Sequence, residues 1–251
     1  MHWFYVESSQ ITEDEIRITG KDVNHIKNVL RMTKGERMVI CDGEGRDYYC
    51  TLKDIGSKEV VAHIESMNAT ESELPAKLYL FQGLPKKDKM ELIIQKAVEL
   101  GAYEIIPVAM KRCVAKIEDK KKEARKLERW QSIAESAAKQ SGRGFIPKVQ
   151  GVLSYKEALK YAGELETVIL PYELAKDMNK TKEVLAKCCT HHSIGIFIGP
   201  EGGFDDAEIE EALQLGFETV SLGKRILRTE TAGLAILSVL MMELEYGRAE
   251  E

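Results

Sequence analysis

The sequence predicts an α/β protein preceded by a small, strand-rich, barrel-like domain, and three observations carry that expectation. From Lys77 onward apolar strand segments alternate with helical ones, the pattern of a mostly parallel sheet covered by helices. Up to about Ser72 the segments are short and divided by turn signals such as "DGEG". Between them "NATESELPA", Asn68 to Ala76, is polar and carries a proline, the composition of a linker. The expected boundaries are a domain over residues 1–72, a linker at 73–76 and a second domain over 77–251.

The first domain reads as strands "HWFYV" and "EIRIT", a helix "KDVNHIKNVLRM", then strands "ERMVICD", "DYYCTLKD" and "EVVAHIES". The second reads as strand "KLYLFQ", helix "DKMELIIQKAVELG", strand "YEIIPVA", a long helix ending near Gln140 and strand "ETVILPY". A helix to about Cys189 follows, then "SIGIFIG", helix "DDAEIEEALQLG", strand "ETVSLG" and a final helix. The helix after "SIGIFIG" has an over-determined start, because Asp205 is placed to cap it, Glu208 to reach back and Phe204 to pack on Ile209. The last helix, "AGLAILSVLMMEL", shows no polar face and belongs inside the domain or against another subunit. Thr229 or Thr231 is its expected cap, with Glu230 in the first turn.

No run in the 251 residues approaches the ~20 apolar positions that span a bilayer, and "MHWFYVESSQ" lacks a basic region followed by an apolar core. A cytoplasmic protein without a membrane partner is expected. The five cysteines are scattered, which suits free thiols. "CCTHH", Cys188 to His192, is a single cluster where zinc sites use two separated ligand pairs, so no metal is expected. The net charge of -5 hides a division: residues 86–148 hold 16 basic against 9 acidic residues, residues 1–85 hold 10 against 14, and residues 149–251 hold 10 against 18. Such a basic island is either a phosphate-facing surface or a solvated helix face, and the alternating charges of "KIEDKKKEARKLERW" favour the second for that stretch.

Two loops carry residues that core packing does not require. In "IFIGPEGGFDDAEI" an apolar strand runs into Gly199-Pro200-Glu201-Gly202-Gly203, where glycines permit positive φ and close approach of a ligand to the backbone. In "LGKRILRTETAG", Leu222 to Gly233, two arginines stand beside a buried helix, and Arg225 and Arg228 need Glu201, Glu230 or a ligand as partner. Neither loop matches G-x-x-x-x-G-K-[ST] or G-x-G-x-x-G, which disfavours both common nucleotide-binding turns. Together with "VILPYE" they make three strand ends at which doubly wound sheets hold ligands.

"IGPEGGF", "LGKRILRTETA", "LPKKDKMELIIQKAVELG", "RWQSIAESAAKQSGR" and "HIKNVLRMTKGERMVICDGEG", in order over nearly the whole chain, resemble the RsmE family, ribosomal RNA small subunit methyltransferase E, of the SPOUT (α/β knot) superfamily. The resemblance implies an N-terminal PUA-like RNA-binding β-barrel, a C-terminal domain with a deep trefoil knot, and a homodimer formed through the knot domain. It implies transfer of a methyl group from S-adenosyl-L-methionine to N3 of one uridine in the 16S ribosomal RNA of the small subunit. Carried onto this sequence, it places the cofactor on Leu170, Pro171, Gly199, Pro200, Gly203, Leu222, Gly223, Ile226 and Leu227. Arg228 is then the expected substrate-side cation that stabilises the uracil anion, and Glu201 or Glu230 either the base or the partner of Arg228. Arg112, Lys139, Arg143 and Lys89 on the basic island, with Arg31 on the barrel, are the expected RNA contacts.

Three positions depart from what is frequent in the family: Lys87 stands where glycine is common, Lys139 where an acidic residue is, and Trp3 where arginine is. A SPOUT methyltransferase acting on transfer RNA or on ribose 2′-hydroxyls is the first alternative. An RNA-binding assembly factor that has lost the chemistry is the second.

Overall fold

The computed structural model describes residues 1–115 and 119–246, and these form two compact units. Residues 116–118, within the expected charged helix, and 247–251, at the end of the expected second domain, lie outside the described residues. The first unit comprises Met1–Glu73 with Ala138–Ile146, and the second Leu74–Ala137 with Pro147–Glu251.

The first unit is built on five strands: β1 (His2–Tyr5), β2 (Glu15–Thr19), β3 (Arg37–Cys41), β4 (Arg46–Ile55) and β5 (Glu59–Ala69). They pair in the order β1-β3-β4-β5-β2, with β1 parallel to β3 and every other pair antiparallel. Alternate residues of these strands, among them Phe4, Ile16, Ile18, Met38, Ile40, Leu52 and Val60, turn to one face and form the core. Val39, Cys41 and Asp47 on the opposite face are also buried, and the returning segment Ala138–Ile146 accounts for this. A methyl on Gly142 would lie 3.7 Å from the Trp3 ring, and Tyr5 donates a hydrogen bond to the Arg143 carbonyl. The expected helix over 21–32 is shorter: α1 (Lys21–Asn24) runs into a wider, five-residue turn over His25–Val29.

The second unit holds seven parallel strands in the order β12-β10-β11-β6-β7-β8, with β9 also on β7. Their ranges are β6 (Lys77–Gly83), β7 (Ala102–Ala109), β8 (Lys148–Val149), β9 (Leu153–Ser154), β10 (Thr167–Pro171), β11 (Ser193–Ile198) and β12 (Glu218–Val220). The helices are α2 (Lys89–Glu99), α3 (Lys120–Ser141), α4 (Tyr155–Ala162), α5 (Met178–Cys188), α6 (Asp206–Gln214) and α7 (Thr229–Tyr246), the last turn of α3 lying in the first unit. The central strands are mostly apolar, as both faces of a helix-covered parallel sheet require, with Gln82 of β6 and Glu104 of β7 as buried polar exceptions, and Phe81 stacks on Phe197 with ring centroids 4.4 Å apart. The expected order of strands and helices is present, with one omission. The sequence predicts β10 directly after the long helix, whereas β8, β9 and α4 stand between, and α4 starts on a reciprocal Ser154–Glu157 cap.

Candidate functional site

Three strand ends meet in one place because β12, β10 and β11 are neighbours in the sheet and all point the same way. The turns that follow them enclose a cleft of about 430 Å³ lined by Pro171, Glu173, Gly199 to Phe204, Ile226 to Thr229, Ala232 and Lys89. A side chamber of about 90 Å³ adjoins it, sharing Pro171, Glu173, Ile226, Leu227 and Ala232 and adding Leu222, Gly223 and Arg225. Of the expected cofactor residues, Pro171, Gly199, Pro200, Gly203, Ile226 and Leu227 thus line the main cleft, and Leu222 and Gly223 the side chamber. Leu170 does not line either and is wholly buried in β10.

The glycine turn is shaped by close approach. A methyl on Gly83, at the end of β6, would lie 2.8 Å from both Cδ and N of Pro200, and one on Gly202 would lie 3.0 Å from Arg112 Cβ. Gly203 has φ +68°, and its amide closes the turn on the Pro200 carbonyl at 2.9 Å. The start of α6 then follows the sequence expectation: Asp205 accepts from the Ala207 amide, and Glu208 reaches back to the Asp205 amide at 2.9 Å. Glu208 also accepts from the Lys111 amide at 2.8 Å, and Lys111 Nζ pairs with Asp205 at 2.9 Å.

The start of α7 is held otherwise. Thr229, an expected cap, spends its hydroxyl proton on the Gly199 carbonyl at 2.6 Å and accepts from Gln82 Nε2 at 2.9 Å. Glu230 pairs with Lys89 at 3.0 Å, and the same ammonium lies 3.2 Å from Glu201. Glu201 accepts from the Lys86 amide at 3.0 Å. Burial pushes the Glu201 carboxyl up, but the Lys86 amide, its own amide and Lys89 outweigh it and hold it below the ordinary carboxylate range. Glu230 is likewise raised by burial and, on balance, lowered by its own amide, Lys89 and Arg228. Lys89 is pushed up, first by its hydrogen bond to Glu230. Arg228, exposed on the same cleft, makes no ion pair among the described residues.

The expected RNA residues fall into different settings. Arg112 lies beside the glycine turn, donating to the Gly202 carbonyl at 3.3 Å with its Nε 3.6 Å from Asp205. Lys89, expected on RNA, lines the cleft as the bridge between two carboxylates. In the first unit, Arg31 is exposed with φ 53°, and Lys139 pairs with Asp22 at 3.0 Å. Arg143 is turned inward: it is 3% exposed and its guanidinium sits on Glu73. Sequence reasoning missed Gln82, Thr229 as an anchor and Glu173, whose Oε1 would lie 3.1 Å from a methyl on Gly203. The only signals were a glutamine closing an apolar strand and an acid just past "LPY". Among the described residues no three His, Cys, Asp or Glu side chains gather as a metal site.

Residues 72–241 match the family described as an RNA methyltransferase domain, and residues 18–65 match the RNA methyltransferase PUA domain. Fold and cleft therefore define an RNA methyltransferase with a PUA domain. The chain is 35% identical to ribosomal RNA small subunit methyltransferase E of Bacillus subtilis (strain 168), covering 100% of both. Among solved structures, ribosomal RNA small subunit methyltransferase E from Neisseria gonorrhoeae, bound to S-adenosyl methionine, matches with a TM-score of 0.82 at 32% identity, over 96% of this chain and 97% of that one. The putative methyltransferase Lpg2936 from Legionella pneumophila, in complex with SAM, matches with a TM-score of 0.81 at 31% identity over 96% of each chain. The chain belongs to the ribosomal RNA small subunit methyltransferase E family.

Proposed function

We propose that the protein transfers the methyl group of S-adenosylmethionine to N3 of one uridine in the 16S ribosomal RNA of the small subunit. The observation that carries this reading is the convergence of the three strand-end turns on one cleft with Arg228 exposed on its wall and in no ion pair among the described residues. The cleft suits the cofactor: its volume of about 430 Å³ lies in the usual ligand range, Pro171, Ile226 and Leu227 offer apolar walls for adenine, and the Gly199–Gly203 turn offers backbone. Glu173 places a carboxylate beside Gly203, suited to a cationic ligand. When bound, the cofactor supplies an electrophilic methyl on a sulfonium that leaves as a neutral thioether.

The chain's own task is the acceptor. Uracil N3 attacks only after it gives up its proton, and the charge left behind spreads over the two flanking carbonyl oxygens. In this reading Arg228 stabilises that anion, which also makes the proton easier to lose. Glu201 and Glu230 are ionised and able to accept a proton, but Lys89 and the backbone amides that hold their pKa values low make each a weak base, so Arg228 carries the larger share. Arg31, Arg112 and Lys139 are assigned to the RNA backbone. Arg143, buried on Glu73, is assigned to the first unit's packing.

This reading also includes a trefoil knot in the second unit and a homodimer formed through it. α7 supports the dimer: the helix buries Ile236, Leu237 and Leu240 yet leaves Val239 41%, Met242 52% and Tyr246 67% exposed. Sedimentation should give a dimer that Val239→Asp with Met242→Lys converts to a monomer; a monomeric parent protein removes this part of the reading. Mass mapping of nucleosides in 16S ribosomal RNA from cells lacking the protein tests the activity. Loss of one N3-methyluridine is expected. Loss of a ribose methyl or of a transfer-RNA methyl would replace the assignment, and no loss at all would favour the assembly factor.

A further inference from the structure

β6 is an apolar strand that ends in a buried amide. Gln82 is 0% exposed and does not line the cleft, yet its side chain reaches both walls of it through one intermediary. Nε2 donates to the Gly83 carbonyl and to Thr229 Oγ1, each at 2.9 Å. Thr229 Oγ1 lies 2.6 Å from the Gly199 carbonyl. A carbonyl only accepts, so the single hydroxyl proton of Thr229 is committed to Gly199, and the hydroxyl must accept from Gln82. Both amide protons are then committed, and Oε1 is left without a partner among the described residues. That oxygen would lie 3.6 Å from a methyl on Gly233, in the first turns of α7.

An unsatisfied buried acceptor costs stability. Methionine would fill a similar space without that cost, so what the amide adds is direction. The recipient of that direction is informative. The peptide between Gly199 and Pro200 has no N–H, which leaves the Gly199 carbonyl as its only polar handle. Fixing that carbonyl fixes the plane in which the chain enters the Pro200–Gly203 turn. Thr229 itself stands between Arg228 and Glu230, so the same hydroxyl sets where the substrate-side arginine begins.

We propose that Gln82 is a positioning residue for methyl transfer: through the Thr229 hydroxyl it fastens the Gly199 turn to the start of α7 and so fixes the cofactor wall and Arg228 relative to each other. The role of that wall rests on the cofactor reading above. The relay is directional, and it ties β6, the turn after β11 and α7 across sequence separations of 147 and 30 residues.

The test compares the full-length protein with Gln82→Met, Thr229→Val, the double variant and Thr229→Ser. Hydrogen–deuterium exchange on the cofactor-free protein should show faster exchange at Gly202, Gly203 and Phe204 in Gln82→Met and Thr229→Val, with the centres of β6 and β11 unchanged. Calorimetric affinity for S-adenosylmethionine should fall about tenfold in either single variant, the scale of one lost directed hydrogen bond. The double variant should be no weaker than the weaker single one, and Thr229→Ser, which keeps the hydroxyl, should restore slow exchange. Unchanged exchange in Gln82→Met, additive losses in the double variant, or faster exchange spread evenly through β6 and β11 would each overturn the proposal, the last by showing a merely structural role. If the parent protein itself fails to bind S-adenosylmethionine, the cofactor reading fails, and the exchange arm still decides on the relay.

Discussion

The helices α6 and α7 both begin where a strand-end turn of the cleft stops, and they are secured in opposite ways. α6 is largely self-contained: Asp205 and Glu208, three residues apart, satisfy each other's backbone amides. At the start of α7 the side chains of the first two residues bond outside their own turn among the described residues, Thr229 to Gly199 and Gln82 and Glu230 to Lys89. A locally capped helix holds its own start wherever it is carried, whereas a start held by remote side chains keeps its place only if the whole cleft is assembled. Arg228, the proposed substrate-side cation, is attached to the second kind.

The largest expected effect breaks the comparison at its functional end. Arg228→Ala should cut methyl transfer by ~10² or more while S-adenosylmethionine affinity measured by calorimetry stays within about twofold, the scale seen for one charge-stabilising donor. An equal loss of affinity would move Arg228 from the substrate to the cofactor. Next, Gly83→Ala drives a methyl against Pro200 backbone and should destabilise the protein by about 1–3 kcal/mol in denaturant titration while also weakening cofactor binding. Asp205→Ala is the local control and should cost about 1 kcal/mol, with methyl transfer falling far less than in Arg228→Ala.

The smallest effect is in pH. Glu201 and Glu230 are held below the ordinary carboxylate pKa, so the stability they contribute is fully present above about pH 4.3 and is lost as pH falls through their lowered values. Lys89→Met removes a shared cause of those shifts. Its destabilisation should be largest near neutrality and should shrink on acidification, read from chemical denaturation at several pH values. A penalty independent of pH would show that Lys89 matters through packing alone.

The contrast also marks what could be read from the chain. The cap of α6 was legible because both partners lie within one turn of each other, and the three strand ends because glycine and proline punctuate them. α4 carries the same Ser154–Glu157 signature but is only 8 residues long and follows two-residue strands, so it offered little periodicity to notice. The wide turn over His25–Val29 has apolar residues at spacings an ordinary helix would also show. Charges were the least legible feature. Arg143 and Lys139 look like surface cations until Glu73 and Asp22 arrive from more than 60 positions away, in bonds spanning 70 and 117 residues. The order of the strands carried the site's location, while the pairing of its side chains depended on contacts no short stretch contains.

At Gly83 the sequence tolerates no change. The end of β6 and Pro200 of the glycine turn occupy adjoining space only because nothing projects from that one α-carbon, and the obstruction on the other side is main chain that no rotamer change can clear. A randomised library at this codon, screened for methylation, should return glycine alone, even though its α-carbon belongs to a strand that does not line the cleft.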